Sequence, residues 1–379
     1  MATFKELGPD DIKTDRSALE QPVDIIQNDI SSSSTRKSYQ VWVTGGIGPG
    51  VTSSMVQTVF DQDFTLQTAN PVFDITFGLS TESELVLSTT SSVDATTNKY
   101  YFPSQSIQMR EKMDIYKTFA QNLLGDSENE FTLVSGSTTN YIREPMFIAI
   151  KRIFARDKIK RETFAIKLFQ TASHLLKQAE NSVIFTDVGS STNIEQTYGG
   201  QVSTIVNSSN STYPVGLLYL DKGIIVLDTQ RVFDTSTQFS GSIEAMSTSG
   251  TTPFTGSFNK FLVSASIDDI CNHVCETRFS SSSETAMVFQ NQTYLNSTIF
   301  FCRLTPDEFN YSSNPTYVDS NGRMVVIDPG QEETQRGFTF ITSIGLYDAN
   351  DNLLGIAKLS RPLYKDRARD IPVKIRIDF

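Results

Sequence analysis

A glycine-rich segment after the first predicted strand is the first candidate for chemistry. Gly45, Gly50 and Thr52 have the spacing of a phosphate-binding P-loop, in which backbone N–H groups and a lysine hold the phosphates of a nucleotide. Val51 stands where that lysine is required, and Pro49 removes one backbone donor. The sequence therefore predicts a glycine-rich bend between strands and no nucleotide site.

A second candidate is the run Cys271-Asn-His273-Val-Cys275, which with Cys302 offers four possible zinc ligands. The two cysteines are separated by three residues, a less usual spacing than the two of zinc knuckles. On a helix His273 also faces away from both. We expect free, buried thiols in a reducing compartment, with a zinc site as the alternative.

Catalysis has no visible set of residues. The chain has only 2 histidines, His174 and His273, and neither lies in a nucleophile signature. Acidic residues are scattered through Ser/Thr-rich segments as on an ordinary surface. We expect no enzyme, no catalytic residue and no cofactor.

Charge and composition narrow the class of protein further. The 379 residues include 32 Lys and Arg against 43 Asp and Glu, a net charge of −11, so the average surface repels phosphate and nucleic acid is not an expected partner. We expect no membrane-spanning helix and no cleaved leader, because no sufficiently long apolar run is present. The 26 Phe and 13 Tyr, with only 20% charged residues, are typical of β-rich extracellular or virion proteins.

Two segments are candidate subunit interfaces. One is a basic segment that could meet an acidic patch on a neighbouring subunit, form a solvated face or contact DNA, in that order of preference. The other is the apolar face of a predicted helix at residues 105–124, which ends at Gly125. The basic residues are Lys151, Arg152, Arg156, Lys158, Lys160 and Arg161, and the helix residues are Met109, Met113 and Tyr116.

The remaining pattern predicts mostly strands. Further helices are expected from Ser17 to Ile30, with Pro22 in the first turn, and from Glu144 to Ala155. We expect a loop or one helical turn at residues 173–179 and Ser/Thr-rich loops at residues 230–257 and 280–283. Strands are predicted at residues 38–44, in the segment ending at Phe60, and at 64–69, 72–79, 163–169, 182–186, 216–220, 223–227 and 297–302.

The C-terminal residues carry the clearest pattern. Residues 338–347 and 353–360 are rich in β-branched and aromatic residues and flank an Asp/Asn-rich turn, which predicts a β-hairpin. Residues 373–379 alternate apolar and polar, which predicts a terminal strand. We expect a β-rich α+β fold of mainly antiparallel sheets with two or three amphipathic helices. The predicted segments are an N-terminal arm with a short helix (1–37), a mixed α/β body (38–180), a β-rich domain (181–300) and a C-terminal antiparallel β region (301–379).

The hairpin sequence FITSIGLYDANDNLLGIAKLS resembles a hairpin, IGLYD…N.LLAVAKLS, that recurs in tail and baseplate proteins of tailed bacteriophages. The stretch YIREPMFIAIKRIFARDKIKRETFAIKLF resembles a helix-to-strand segment of large tailed-phage structural proteins. The resemblance implies a virion component of a contractile-tailed phage, a baseplate wedge or tail protein assembled in the bacterial cytoplasm. Its expected partners are other tail and baseplate proteins, met through strands and arms, with several copies in a symmetric assembly.

Three alternatives stay open beside that reading. Within the same class, the chain could be a neck or head-to-tail connector. A host-receptor or carbohydrate-binding tail module would expose aromatic side chains on a concave face, and a polysaccharide-degrading tail enzyme would cluster carboxylates in a groove. The N-terminal arm could dock on a neighbouring subunit or fold back on its own domain.

Overall fold

The chain folds into two compact units. The terminal unit comprises Met1–Ala18 and Tyr294–Phe379, and the central unit comprises Leu19–Thr293. The computed structural model describes residues 4–26, 30, 33–43, 51–89, 107–135, 138–173, 178–192, 195–233, 238–239, 254–255, 258, 262–263, 265–279 and 285–378.

Strands dominate both units, which confirms the prediction of a β-rich α+β fold. The strands are β1 (Ile12–Ile26), β2 (Arg36–Val43), β3 (Val51–Phe60), β4 (Pro71–Phe77), β5 (Phe131–Ser135), β6 (Thr138–Ile142), β7 (Pro145–Ile150), β8 (Lys158–Ile159), β9 (Ala165–Ser173), β10 (Gln178–Thr186), β11 (Glu195–Thr197), β12 (Gly200–Asn207), β13 (Asn210–Tyr219), β14 (Ile224–Asp228), β15 (Gln238–Phe239), β16 (Phe254–Thr255), β17 (Thr285–Leu304), β18 (Phe338–Tyr347), β19 (Leu353–Asp366) and β20 (Ile371–Asp378). The helices are α1 (Glu84–Thr89), α2 (Ile107–Leu124), α3 (Arg152–Ala155), α4 (Thr229–Val232) and α5 (Ile267–His273), with a π-helical turn at Val274–Arg278. None of the described helices is long and apolar enough to cross a bilayer.

The central unit is organised around a continuous antiparallel sheet in the order β9-β10-β12-β13-β14-β7-β4-β3-β2. Its middle strands are buried on both faces. In β7, for example, the consecutive residues Phe147 and Ile148 point to opposite faces of the sheet, and both side chains are inaccessible to solvent. Such a strand is a continuous apolar run and shows no alternation.

Helix α2 covers part of this sheet and confirms the helix predicted from residue 105. Tyr116, Ala120 and Leu123 are buried at helical spacing. The Tyr116 hydroxyl donates to the carbonyl of Ile142 (3.1 Å) and accepts from an N–H on β5 (3.2 Å), so this polar atom has partners in the core. Gly125 ends the helix with φ +87°, a conformation that favours glycine.

The helix predicted over residues 144–155 is wrong. Residues 145–150 form β7, which pairs with β14 on one side and β4 on the other, and only Arg152–Ala155 is helical. A short apolar run fits either a buried helix or a buried strand, and here two complete strand partners decide for the strand. The stretch compared above with a helix-to-strand segment is therefore mainly strand.

The helix predicted from Ser17 is also wrong over the residues described. Ile12–Ile26 is β1, an edge strand that pairs with β17, and an edge strand tolerates a proline such as Pro22. Leu19 is 53% exposed, whereas Val23 and Ile25 both pack on the core, the two-residue spacing of a strand.

Other differences are local. Residues 64–69, predicted as a strand, form turns in which Leu66 N donates to Asp63 O (2.9 Å) and Ala69 N donates to Leu66 O (3.2 Å). The predicted boundary at residue 180 falls inside β10, and residues 1–18 belong with the C-terminal residues. Several predictions lie outside the described residues: the glycine-rich segment 45–50, most of the loop region 240–257, the run 280–283 and residues 174–177.

The terminal unit contains the predicted C-terminal elements. Strand β20 pairs with the second half of β17, from Ser297↔Asp378 to Leu304↔Ile371. Strands β18 and β19 form the predicted hairpin as a separate two-stranded antiparallel sheet, in which β18 has the predicted limits and β19 continues six residues beyond the predicted end at Ser360. The terminal-unit core consists of Leu304, Val373 and Ile375, with partly buried residues of the hairpin packed against them.

Candidate subunit-docking surface

The turn of the β18–β19 hairpin is held by one carboxylate. Asp348 accepts hydrogen bonds from the backbone N–H groups of Asn350 and Asn352, both at 2.8 Å, and from the Asn352 side-chain amide at 3.0 Å. These bonds lower the pKa of Asp348, and the bond from the Asn352 side chain has the largest effect. The carboxylate therefore stays ionised at neutral pH. Asp351 takes the left-handed conformation at φ +61°. The turn thus fixes the register in which Tyr347 pairs with Leu353.

The two faces of the hairpin differ in what they contact. Its inner face packs on the terminal-unit core through Ile341, Ile344, Leu346, Ala357 and Leu363. The pairs Ile341↔Leu363 and Ile344↔Ala357 lie across the two strands on this face. A register irregularity between Ile341 and Ser343 keeps both halves of β18 facing the core.

The opposite side of the hairpin, here called the outer face, is apolar and open. Leu354 is 70% exposed, Ile356 63% and Phe340 57%, and Tyr347 and Leu353 are also exposed. A large apolar side chain that is exposed alone is common, but five on one small hairpin are typical of a contact surface.

Aromatic rings extend the outer face at both ends. Near the open end of the hairpin Tyr364 stacks on Phe338 at 5.1 Å and meets Phe340 edge-on at 5.8 Å, measured between ring centroids. Near the turn Phe4 meets Tyr347 edge-on at 5.2 Å. Residues at the start of the chain therefore fold back on their own unit, and Lys5 confirms this through an ion pair with Glu308 at 2.7 Å.

The backbone edge of β18 is a second open feature. Within residues 285–378, which the structure describes without a gap, β18 pairs with β19 alone. Its ten residues contain no proline and no charged side chain, the features that usually protect an edge strand from pairing with another chain. Strand β19 is protected by Pro362 and by Lys358 and Arg361.

The predicted basic segment lies in the central unit and is largely engaged with its own chain. Lys160 pairs with Glu20 at 2.6 Å, and Arg161 donates to the carbonyl of Ser190 at 2.8 Å. The other contacts are Lys151 with Asp74, Lys158 with Gln201, and Arg152 with the carbonyls of Arg156 and Asp221. Arg156 is exposed. These residues therefore join loops of the sheet, and they do not form an open basic ridge.

The predicted apolar docking face of α2 is turned inward. Met109 and Tyr116 are each 3% exposed, and Met113 is partly buried against the cluster that contains Met109. Their apolar surface is covered by the chain itself, so it does not offer a face to a neighbour. The regular spacing predicted the buried side correctly, but it cannot say which chain covers that side.

The cysteine and histidine run behaves as core. Cys271, His273 and Cys275 are fully buried, and burial raises the pKa of Cys271 and lowers that of His273. The Arg278 guanidinium lies 3.3 Å from His273 Nε2. Among the residues that the structure describes, no group of three His, Cys, Asp or Glu side chains is arranged to hold a metal ion.

Two buried carboxylates, Asp228 and Glu144, were not predicted from the sequence. Burial raises the pKa of Asp228 to about 7, although the hydrogen bond from the backbone N–H of Gln230 acts in the opposite direction. Burial also raises the pKa of Glu144. Asp228 caps α4 by accepting from Gln230 N (3.0 Å) and pairs with Arg231 at 3.3 Å. Glu144 accepts from Ser83 and from the Gln230 amide (2.8 Å). Both are tied to structural partners, and no local spacing marks them in the sequence.

An apolar cavity of about 280 Å³ lies between α2 and the central sheet. The carboxylate in its lining, Asp74, already accepts from Thr58 and Lys151. The cavity therefore suits an apolar group. Its lining consists of Met55, Val56, Asp74, Thr76, Ile115, Thr118, Phe119, Phe147 and Ala149.

Among the residues that the structure describes, the hairpin is thus the feature best suited to binding. It combines an exposed apolar face, an unprotected strand edge and a rigid turn, whereas the charged and sulfur-containing groups described above are engaged within the fold. No protein-family model, curated protein sequence or solved structure matches this chain.

Proposed function

We propose that the chain is a structural component of a tailed-bacteriophage virion, a baseplate-wedge or tail protein that assembles through the β18–β19 hairpin. The observation that carries the proposal is the outer face, where Leu354, Ile356 and Phe340 are each more than half exposed. The same residues lie in the segment that resembles the phage tail and baseplate hairpin.

The physical argument is that this surface is costly to leave in water. Burying an apolar side chain such as Leu or Ile against a partner contributes roughly 1.5–3 kcal/mol each. Strand addition at β18 supplies further main-chain hydrogen bonds without requiring particular side chains. A protein that holds its place in an assembly needs these two properties, and it needs no catalytic group.

Charging the outer face tests the proposal. In the Leu354→Asp, Ile356→Asp double variant, incorporation into purified virus particles falls at least about tenfold, because the introduced carboxylates must lose water at the interface. The amount of the chain per particle is measured by quantitative mass spectrometry. Circular dichroism and thermal unfolding of the purified variant check that the hairpin, whose inner face is untouched, remains folded.

The matched control is Ser360→Asp, which adds a carboxylate to the same strand at an exposed polar position. It enters particles normally. Normal incorporation of the double variant, or absence of the wild-type chain from purified particles, contradicts the proposed function.

A further inference from the structure

The central eight residues of strand β18, Thr339 to Leu346, have a burial pattern that is the same in both directions. From Thr339 to Ile341 partly or fully buried positions alternate with an exposed one, two exposed residues follow, and from Ile344 to Leu346 the alternation continues in mirror order. The centre of this pattern lies between Thr342 and Ser343, at the register irregularity.

This symmetry matters when the strand pairs with a copy of itself. In an antiparallel pair, residues directly opposite each other point to the same face. A regular strand whose centre falls between two residues would oppose inward and outward side chains. The change of facing between Ile341 and Ile344, which both pack on the terminal-unit core, removes that conflict, so that inward residues meet inward residues in both halves.

We infer that the open edge of β18 binds β18 of a second copy of this chain, antiparallel and about a twofold axis between Thr342 and Ser343. The inference rests on the proposed function and names the partner of the hairpin edge. The two hairpins then form one four-stranded sheet, β19-β18-β18-β19, with both outer faces on the same side. Such an interface is isologous, since each copy contributes the same residues.

The pairs nearest the axis are compatible in size. On the inner side Ile341 lies opposite Ile344. On the outer side Phe340 lies opposite Gly345, which has no side chain to collide with the ring. The Tyr347 ring already lies beside Gly345 in its own chain, so Phe340 of the second copy meets an aromatic neighbour.

The charges are complementary as well. The strand carries no charge, so two copies with a net charge of −11 bring no like charges together along it. Two charged residues lie just outside the two ends of β18. Arg336, which is exposed, precedes the strand, and Asp348 follows its last residue. The register places Gly337 opposite Asp348, so Arg336 of each copy lies next to Asp348 of the other.

A charge placed at the axis tests the inference. In sedimentation-velocity experiments on the full-length chain we expect a dimer, and Thr342→Lys weakens self-association about tenfold or more, because the introduced ammonium groups become neighbours across the axis. Thr342→Glu has the same effect. An equimolar mixture of the two variants restores dimers, which are heterodimers by native mass spectrometry. The control Ser360→Lys, on the exposed part of β19, remains dimeric.

Cross-linking tests the register. A mixture of Thr342→Cys and Ser343→Cys copies gives a disulfide-linked dimer that joins positions 342 and 343, identified by peptide mass spectrometry. A monomeric wild-type chain, or a dimer that Thr342→Lys leaves unchanged, overturns the inference. A monomeric chain that still enters particles through the outer face leaves the proposed function standing. A β18-linked dimer that is absent from particles supports the inference and removes the function.

Discussion

Replacing Phe147 with alanine lowers the free energy of unfolding by about 3–5 kcal/mol. The side chain is fully buried on β7, stacks on Phe119 with 4.0 Å between ring centroids and meets Phe131 edge-on at 5.8 Å. It also lines the apolar cavity beneath α2, so its removal enlarges a space that already exists. Chemical denaturation followed by circular dichroism measures the loss.

The matched control is Phe64→Ala, in the turns between β3 and β4. Phe64 is 37% exposed and touches one ring, that of Phe60, at 6.2 Å. Its removal costs about 1 kcal/mol or less. Equal losses for the two variants would contradict the central position assigned to β7.

Replacing Asp228 with asparagine flattens the dependence of stability on pH. Burial raises the pKa of Asp228 to about 7 in the folded chain, whereas an unfolded aspartate has its ordinary pKa of 3.8. Between these two values the folded state binds more protons than the unfolded state, so stability falls as pH rises through that window. The wild type therefore loses about 2–3 kcal/mol of stability from this group between pH 5 and pH 8, and the variant does not.

Asparagine retains the cap on α4, since its side-chain oxygen can accept from Gln230 N, and Arg231 keeps its bond to the carbonyl of Pro214 at 3.0 Å. Denaturation midpoints of both proteins are compared at several pH values. Asp63→Asn is the control. Hydrogen bonds from the backbone N–H of Thr65, which has the larger effect, and from the Thr65 hydroxyl lower the pKa of the exposed Asp63 carboxyl. Its contribution is lost only as pH falls through that lowered pKa. An unchanged pH profile in Asp228→Asn would show that the buried carboxyl is not protonated in the folded chain.

Sequence reasoning succeeded where local chemistry decides the structure. The Asp/Asn turn contains its own hydrogen bonds, through Asp348 and Asn352, so the hairpin needs no distant partner to be recognised. Helix α2 was found because its apolar residues recur at helical spacing and Gly125 stops it. In both cases the residues that fix the element lie within it or beside it.

Prediction from the sequence was wrong for elements whose structure depends on segments far away in the chain. Residues 145–150 are a strand because β4 and β14 pair with both edges, and those strands lie far away in the sequence. The same holds for function. Lys151 is neutralised by Asp74, 77 positions away, so a basic run that looked available for docking is engaged inside the central unit. The turn and alternation predicted the hairpin strands, but the exposure of Leu354 and Ile356 depends on which face the rest of the unit covers.

The most direct test of the assembly surface is amide hydrogen exchange of residues 338–366, measured in the isolated chain and in purified virus particles. We expect peptides from β18 and the hairpin tip to exchange at least about tenfold more slowly in particles, because neighbouring subunits cover the outer face and the strand edge. Equal exchange rates in both states, or particles that lack this chain, would contradict the account.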